Sequence, residues 1–296
     1  MKDYRRFLKP EVISRLSGLQ IKARLVVEGF IAGLHKSPFR GFNVEFAEYR
    51  PYVPGDEIRY IDWKAYAKSD KFYIKEFEEE TNLKAYLLLD ASASMGYSSG
   101  KVSKLEYGSY LAASLTYLML KQQDYVGLIT FDEGIRHYIP PRGHPAHLHA
   151  VLEGLESLTP RGETGISRTL HELAERIKRR GLFVIISDLF DDQAAVMAGL
   201  SHLRHKKHEV LLFHLLDNYE LTFPFDGSLL FKDMEDGTEL PIEADYLREE
   251  YLSHVKGFID QMQQACGQAA IDYVCFDTST PLDYGLSSYL TKRMRR

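Results

Sequence analysis

The chain has 296 residues, 45% hydrophobic and 27% charged, enough apolar material for one large domain or two small ones. Its formal net charge is −5, and its basic runs, His205-Lys206-Lys207-His208 and the C-terminal Lys292-Arg293-Met294-Arg295-Arg296, are short, so there is no electrostatic case for nucleic acid. Two cysteines, Cys266 and Cys275, are too few for a disulfide framework or a zinc ribbon and read as buried reduced thiols.

The N-terminal stretch MKDYRRFLKP lacks the apolar core of a signal peptide, and no segment approaches the ~20 apolar residues needed to span a bilayer. A cytoplasmic protein without a membrane span is expected. Residues 10–34 read as an amphipathic helix, with Pro10 in its first turn and Leu16, Leu19, Ala23, Val26 and Phe30 at helical spacing. Residues 36–82 are punctuated by glycine and proline and rich in aromatic side chains, too many for a loose linker. Residues 1–82 are therefore expected to form a helix and an aromatic arm packed on a main domain at 83–296. The acidic run Glu76, Glu78, Glu79 and Glu80 reads as a solvated edge or linker.

From Lys84 onward the pattern alternates strand and helix. Strands are predicted at 84–90, 126–131, 183–187, 210–216 and 273–276, and helices near 102–121, 145–158, 166–179, 192–204, 245–265 and 282–293. Ile135–Ile139 reads as the antiparallel mate of the second strand, and residues 217–243 as an inserted hairpin turning at Asp236-Gly237. His205–His208 is expected to be a solvated connection. Such alternation implies a mostly parallel sheet with helices on both faces.

The first strand, KAYLLLD, delivers Asp90-x-Ser92-x-Ser94 into the turn that follows. Ligands of open α/β sheets bind beyond the carboxyl ends of the strands, where these side chains fall. One carboxylate and two hydroxyls on alternate residues can point the same way if the turn stays extended, and oxygen-only ligands suit Mg²⁺ or Ca²⁺. Asp and Ser are also ordinary turn residues, so the triplet alone decides nothing. Two further segments extend it: Arg161-Gly162-Glu163-Thr164-Gly165, a loop presenting a threonine hydroxyl, and the apolar strand Phe183–Ser187, which runs into Asp188.

Asp90-x-Ser92-x-Ser94, Thr164 and Asp188 resemble, in order and context, the metal-ion-dependent adhesion site of von Willebrand factor A-like domains. The stretch from Glu48-Tyr49-Arg50-Pro51 through Gly55-Asp56 to Asp62-Trp63, with Lys75-Glu76-Phe77-Glu78-Glu79-Glu80, resembles the signature of domain-of-unknown-function family 58, a bacterial family with such a domain. The resemblance spans roughly Gly33 to Tyr284. It implies a doubly wound, mostly parallel α/β sheet with one antiparallel edge strand, plus an N-terminal helical and β arm. It also implies Mg²⁺, with Mn²⁺ or Ca²⁺ as substitutes, bound by Ser92, Ser94 and Thr164 directly and by Asp90 and Asp188 mainly through water. A partner carboxylate would complete the octahedron. The partner it implies is a MoxR-type AAA+ ATPase or a client of one. Longer relatives often carry membrane helices before the equivalent region, and this chain departs from them.

Rival chemistries meet specific obstacles. A haloacid-dehalogenase-like phosphatase would use Asp90 as nucleophile and Asp188, Asp191 and Asp192 as late acids. Its general acid would be position 92, where a serine hydroxyl cannot serve at neutral pH. His144, His147 and His149 lack convergent spacing for zinc and are expected to be solvated at a helix start. Ser94 has no nucleophile elbow, and no phosphate-cradling Gly-rich loop with a lysine is present. A non-enzymatic, Mg²⁺-dependent adaptor is the expectation, with a von Willebrand A-like scaffold lacking a functional metal as the alternative.

Overall fold

A computed structural model describes residues 18–34, 49–51, 73–75, 83–234, 237–284 and 287. The chain divides into two compact units, one made of Met1–Gly33 with Leu83–Arg296 and the other of Leu34–Asn82. In the smaller unit, β1 (Tyr49–Pro51) pairs antiparallel with β2 (Tyr73–Lys75), Arg50 opposite Ile74. The rest of the aromatic arm and the acidic run at 76–80 lie outside the described residues.

The larger unit is built on six strands: β3 (Lys84–Asp90), β4 (Tyr125–Phe131), β5 (Ile135–Arg142), β6 (Leu182–Ser187), β7 (Glu209–Leu216) and β10 (Asp272–Asp277). Their order across the sheet is β10-β7-β6-β3-β4-β5. All neighbours are parallel except β4 and β5, which the tight Asp132–Gly134 turn joins as an antiparallel edge. The expected mostly parallel sheet with one antiparallel edge strand is thus the one observed. β3, β6 and β7 are buried along nearly their whole length, as apolar runs without alternation require when helices cover both faces.

The helices are α1 (Leu19–Leu34), α2 (Lys104–Lys121), α3 (His147–Glu156), α4 (Ile166–Arg176), α5 (Gln193–His205), α6 (Asn218–Thr222) and α7 (Ala244–Gln268). On one face Leu88, Ile129, Ile185 and Leu212 pack with Leu170, Leu200 and Met262 of α4, α5 and α7. On the other face α2 approaches so closely at Gly108 that an added Cβ would lie 2.8 Å from Leu89 Cδ1. α3 shares this face at Gly154, beside Leu128 and Ile139. α1 joins it through Lys22 Nζ on the Tyr110 hydroxyl (3.0 Å) and Leu19 N on Glu156 Oε1 (3.2 Å). Among the described residues no helix is long and apolar enough to cross a membrane.

Several sequence expectations need correction. Of the helix expected over 10–34, residues 10–17 lie outside the described residues, Gly18 is non-helical at φ +78°, and α1 begins at Leu19. Residues 217–243 are not simply a hairpin. They open with α6, capped reciprocally by Asp217 and Glu220, before β8 (Ser228–Lys232) and β9 (Glu239–Glu243) pair. The expected hairpin is this β8–β9 pair; the Asp233 N–H donates to the Thr238 carbonyl (2.8 Å) across its connection, where Gly237 has φ +77° and Asp236 lies outside the described residues. Of the closing helix expected at 282–293, Asp283 and Tyr284 are helical, and most of the remainder lies outside the described residues.

Two histidines expected in solvent are buried. His147 begins α3 with its ring nitrogen 2.8 Å from the Val126 carbonyl, and His208 is enclosed with its ring 3.1 Å from the Ile177 carbonyl. Of the cysteines, Cys266 is buried and Cys275 half-buried, both free, and burial pushes their thiols up to about 12 and about 11.

Candidate metal centre

Because β3 and β6 are parallel neighbours, the two aspartates that follow their apolar runs leave the same edge of the sheet. Two backbone bonds tie the threonine loop to the Asp90 turn: Ala93 N to Gly162 O (2.9 Å) and Arg161 N to Ala91 O (3.0 Å). A third, Gly165 N to Asp132 O (2.8 Å), pins that loop to the β4–β5 turn.

The side chains converge accordingly. Asp90 is fully buried. Its Oδ1 accepts the Ser92 N–H (2.9 Å), and its Oδ2 accepts the hydroxyls of Thr164 (3.1 Å) and Ser187 (2.6 Å). The Ser92 and Ser94 hydroxyls share a hydrogen bond of 3.1 Å. Ala93–Gly96 form one 3₁₀ turn after the extended Ser92, and the Ser92 and Ser94 hydroxyls meet without the whole turn being extended. Asp188 shares no hydrogen bond with the other four among the described residues: its Oδ2 receives Lys104 Nζ at 2.8 Å, and its Oδ1 is buried with no hydrogen-bond partner among the described residues.

Burial raises the Asp90 carboxyl to about 6, and the neighbouring Asp188 charge pushes the same way against the Ser187 and Ser92 bonds. For Lys104, burial works to lower the ammonium, but Asp188 and Glu220 more than offset it and the net direction is upward. Burial holds His214 neutral, down at about 4; it donates from Nε2 to the Asp188 carbonyl (3.0 Å) and pairs through Nδ1 with the Tyr273 hydroxyl (2.7 Å).

Asp90, Ser92, Ser94, Thr164 and Asp188 are chemically suited to a hard divalent cation. All their ligating atoms are oxygens, and Asp188 Oδ1 is a buried acceptor with no hydrogen-bond donor among the described residues. Among the described residues no group of three or more His, Cys, Asp or Glu side chains could hold a metal, so any cation here would depend on the hydroxyls.

Sequence reasoning missed three participants: Ser187, Glu220 and Lys104. Lys104 carried a signal, because a lysine in the first turn of a helix opposes the helix dipole and needs a local reason. The late acids of the phosphatase alternative are occupied structurally. Asp192 caps α5 through the Ala195 N–H (2.7 Å), and Asp191 accepts from the Asp192 and Ser167 N–H groups.

The chain is 26% identical over 246 residues to the uncharacterized protein Rv1480 of Mycobacterium tuberculosis, an overlap of 82% of this chain and 77% of that one. The uncharacterized protein Mb1516 of Mycobacterium bovis matches to the same extent. Among solved structures, the conserved hypothetical protein BatB from Bacteroides thetaiotaomicron superposes with a TM-score of 0.50 at 17% identity, covering 72% of this chain and all of that one. At that identity the likeness is one of fold. A family model described as protein of unknown function DUF58 matches residues 48–257, and the chain belongs to that family.

Proposed function

We propose that the protein is a non-enzymatic, cytoplasmic adaptor whose partner binding depends on Mg²⁺ held at Asp90, Ser92, Ser94, Thr164 and Asp188. The observation that carries this is the gathering of the Ser92, Ser94 and Thr164 hydroxyls at buried Asp90, with the Asp188 charge near enough to act on that carboxyl. Ser92, Ser94 and Thr164 would hold the ion through their hydroxyls, with the aspartates behind them orienting those hydroxyls and balancing charge. Mn²⁺ or Ca²⁺ would serve in its place. Bound Mg²⁺ supplies a position that an acidic residue of another protein can take. The family resemblance supplies the class of partner, a MoxR-type AAA+ ATPase or its client.

A scaffold without functional metal has one observation in its favour: the hydroxyls already satisfy one another and Asp90, and Lys104 already pairs with Asp188. Calorimetry separates the two readings. Purified protein should bind Mg²⁺ or Mn²⁺, and Thr164→Val, which keeps the side-chain shape, should weaken binding at least tenfold while still unfolding cooperatively in EDTA, at a somewhat lower temperature because the hydrogen bond to Asp90 is lost. Equal heats from both proteins would defeat the site. Capture of a MoxR-type ATPase that is lost in EDTA would support the adaptor; capture indifferent to EDTA would favour the scaffold.

A further inference from the structure

Lys104 is the first residue of α2, and its side chain is wholly buried. Its ammonium lies 2.8 Å from Asp188 Oδ2 and 2.7 Å from Glu220 Oε1, with the Phe190 ring centroid 4.9 Å away and that of Tyr97 at 5.8 Å. Glu220 is fixed independently, because its other oxygen accepts the Asp217 N–H (2.7 Å) in the α6 capping box. The ammonium therefore occupies a built receptacle of two carboxylate oxygens and two aromatic faces. A lysine stem buried to this depth is held there by its ion pairs, since an unpaired buried charge is strongly unfavourable.

The formal charges set the direction of its effect. Asp90, Asp188 and Glu220 contribute three negative charges and Lys104 one positive, leaving −2, the complement of one divalent ion. Without Lys104 the same cluster would carry −3. The ammonium already neutralises the carboxylate that a metal would otherwise claim, and it repels any cation placed among the neighbouring oxygens.

From this geometry we infer that Lys104 is a resident counter-ion that keeps the site assembled without metal and holds its divalent affinity low. A site of this kind loads and empties reversibly, so that occupancy can be coupled to the arrival of a partner's carboxylate. The inference deepens the proposed function and rests on that reading of the metal site. Lys104 acts as a positioning residue: it touches Asp188 and Glu220 and would not touch the ion.

Two substitutions have opposite signs. Lys104→Met removes the cation and retains an unbranched stem of similar length. It should tighten Mg²⁺ and Mn²⁺ binding by on the order of tenfold to a hundredfold, from the loss of one nearby charge. In EDTA this variant should melt lower than wild type, and Mg²⁺ should restore more of its stability than it adds to wild type. Glu220→Gln keeps an oxygen for the capping box while removing one negative charge, and should weaken binding by about tenfold. A merely structural role for Lys104 cannot produce tighter binding, because damage to the pocket only loosens it. If wild type binds and Lys104→Met binds equally or more weakly, the counter-ion role is overturned and the metal site stands. Should Lys104→Met fail to fold even with Mg²⁺, unchanged or tighter binding by Glu220→Gln would overturn the role equally. If neither wild type nor variants bind in calorimetry and Mn²⁺ resonance, the metal reading itself falls, and this inference with it.

Discussion

His208 shows how a single side chain departs from what its neighbours in sequence suggest. It follows Lys206 and Lys207 at the end of α5, yet it is buried against Phe183, edge to face at 4.8 Å, with its backbone carbonyl accepting from Arg204 Nη1 at 2.7 Å. Burial holds its imidazole below the usual 6.5, with the Ile177 carbonyl opposing weakly. The unfolded chain therefore takes up the proton first as pH falls. This contribution to stability is complete above the unfolded value near 6.5 and is lost as pH drops toward the folded one. The fall in urea midpoint between about pH 7.5 and about pH 5.5 should be smaller in His208→Gln, which cannot titrate there; identical slopes would rule out a neutral buried ring. At this scale the position of Asp90, Ser92, Ser94 and Asp188 at the ends of apolar strands was legible from the runs before them, and that of Thr164 from its glycine-flanked loop. Lys104 was marked only as a lysine in a helix's first turn, and its pairing with Glu220 was not legible. The two belong to different helices, and the pattern of each helix says nothing about the other's charge.

Among the elements, the loop before α4 governs whether Thr164 reaches Asp90. Gly165 closes that loop against the β4–β5 turn, and an added Cβ would lie 2.5 Å from the Glu133 carbonyl oxygen. Gly165→Ala should therefore shift the loop, costing about 1–3 kcal/mol in urea unfolding and weakening Mg²⁺ binding along with it. Gly134→Ala, on the same turn with open space around it, should leave metal binding unchanged. Calorimetry on both variants checks this, and undiminished Mg²⁺ binding by Gly165→Ala would disconnect the loop from the site. Long apolar runs such as Leu182–Ile186 announced their strands because nothing in them alternates. The boundaries were less legible. The start of α1 after Gly18 was passed over by apolar spacing alone, and the short α6 was hidden because its capping box, Asp217 and Glu220, comes with almost no apolar face.

Over the whole molecule, the alternation of strand and helix was enough for a mostly parallel sheet, whereas the order β10-β7-β6-β3-β4-β5 is a property of tertiary packing. That order places β3 beside β6 and so brings residues 98 positions apart in sequence, Asp90 and Asp188, to one edge. Binding of an ion to the folded state alone should raise the melting temperature with Mg²⁺ concentration, and Thr164→Val should flatten that rise. The most direct measurement is a crystal grown with Mn²⁺ and examined by anomalous scattering, against a matched crystal soaked in EDTA. The expected result is one strong peak about 2.1 Å from the Ser92, Ser94 and Thr164 hydroxyl oxygens, lost in EDTA. A map with no peak there, with Ser92 and Ser94 still bonded to each other and Thr164 still on Asp90, would contradict the metal site.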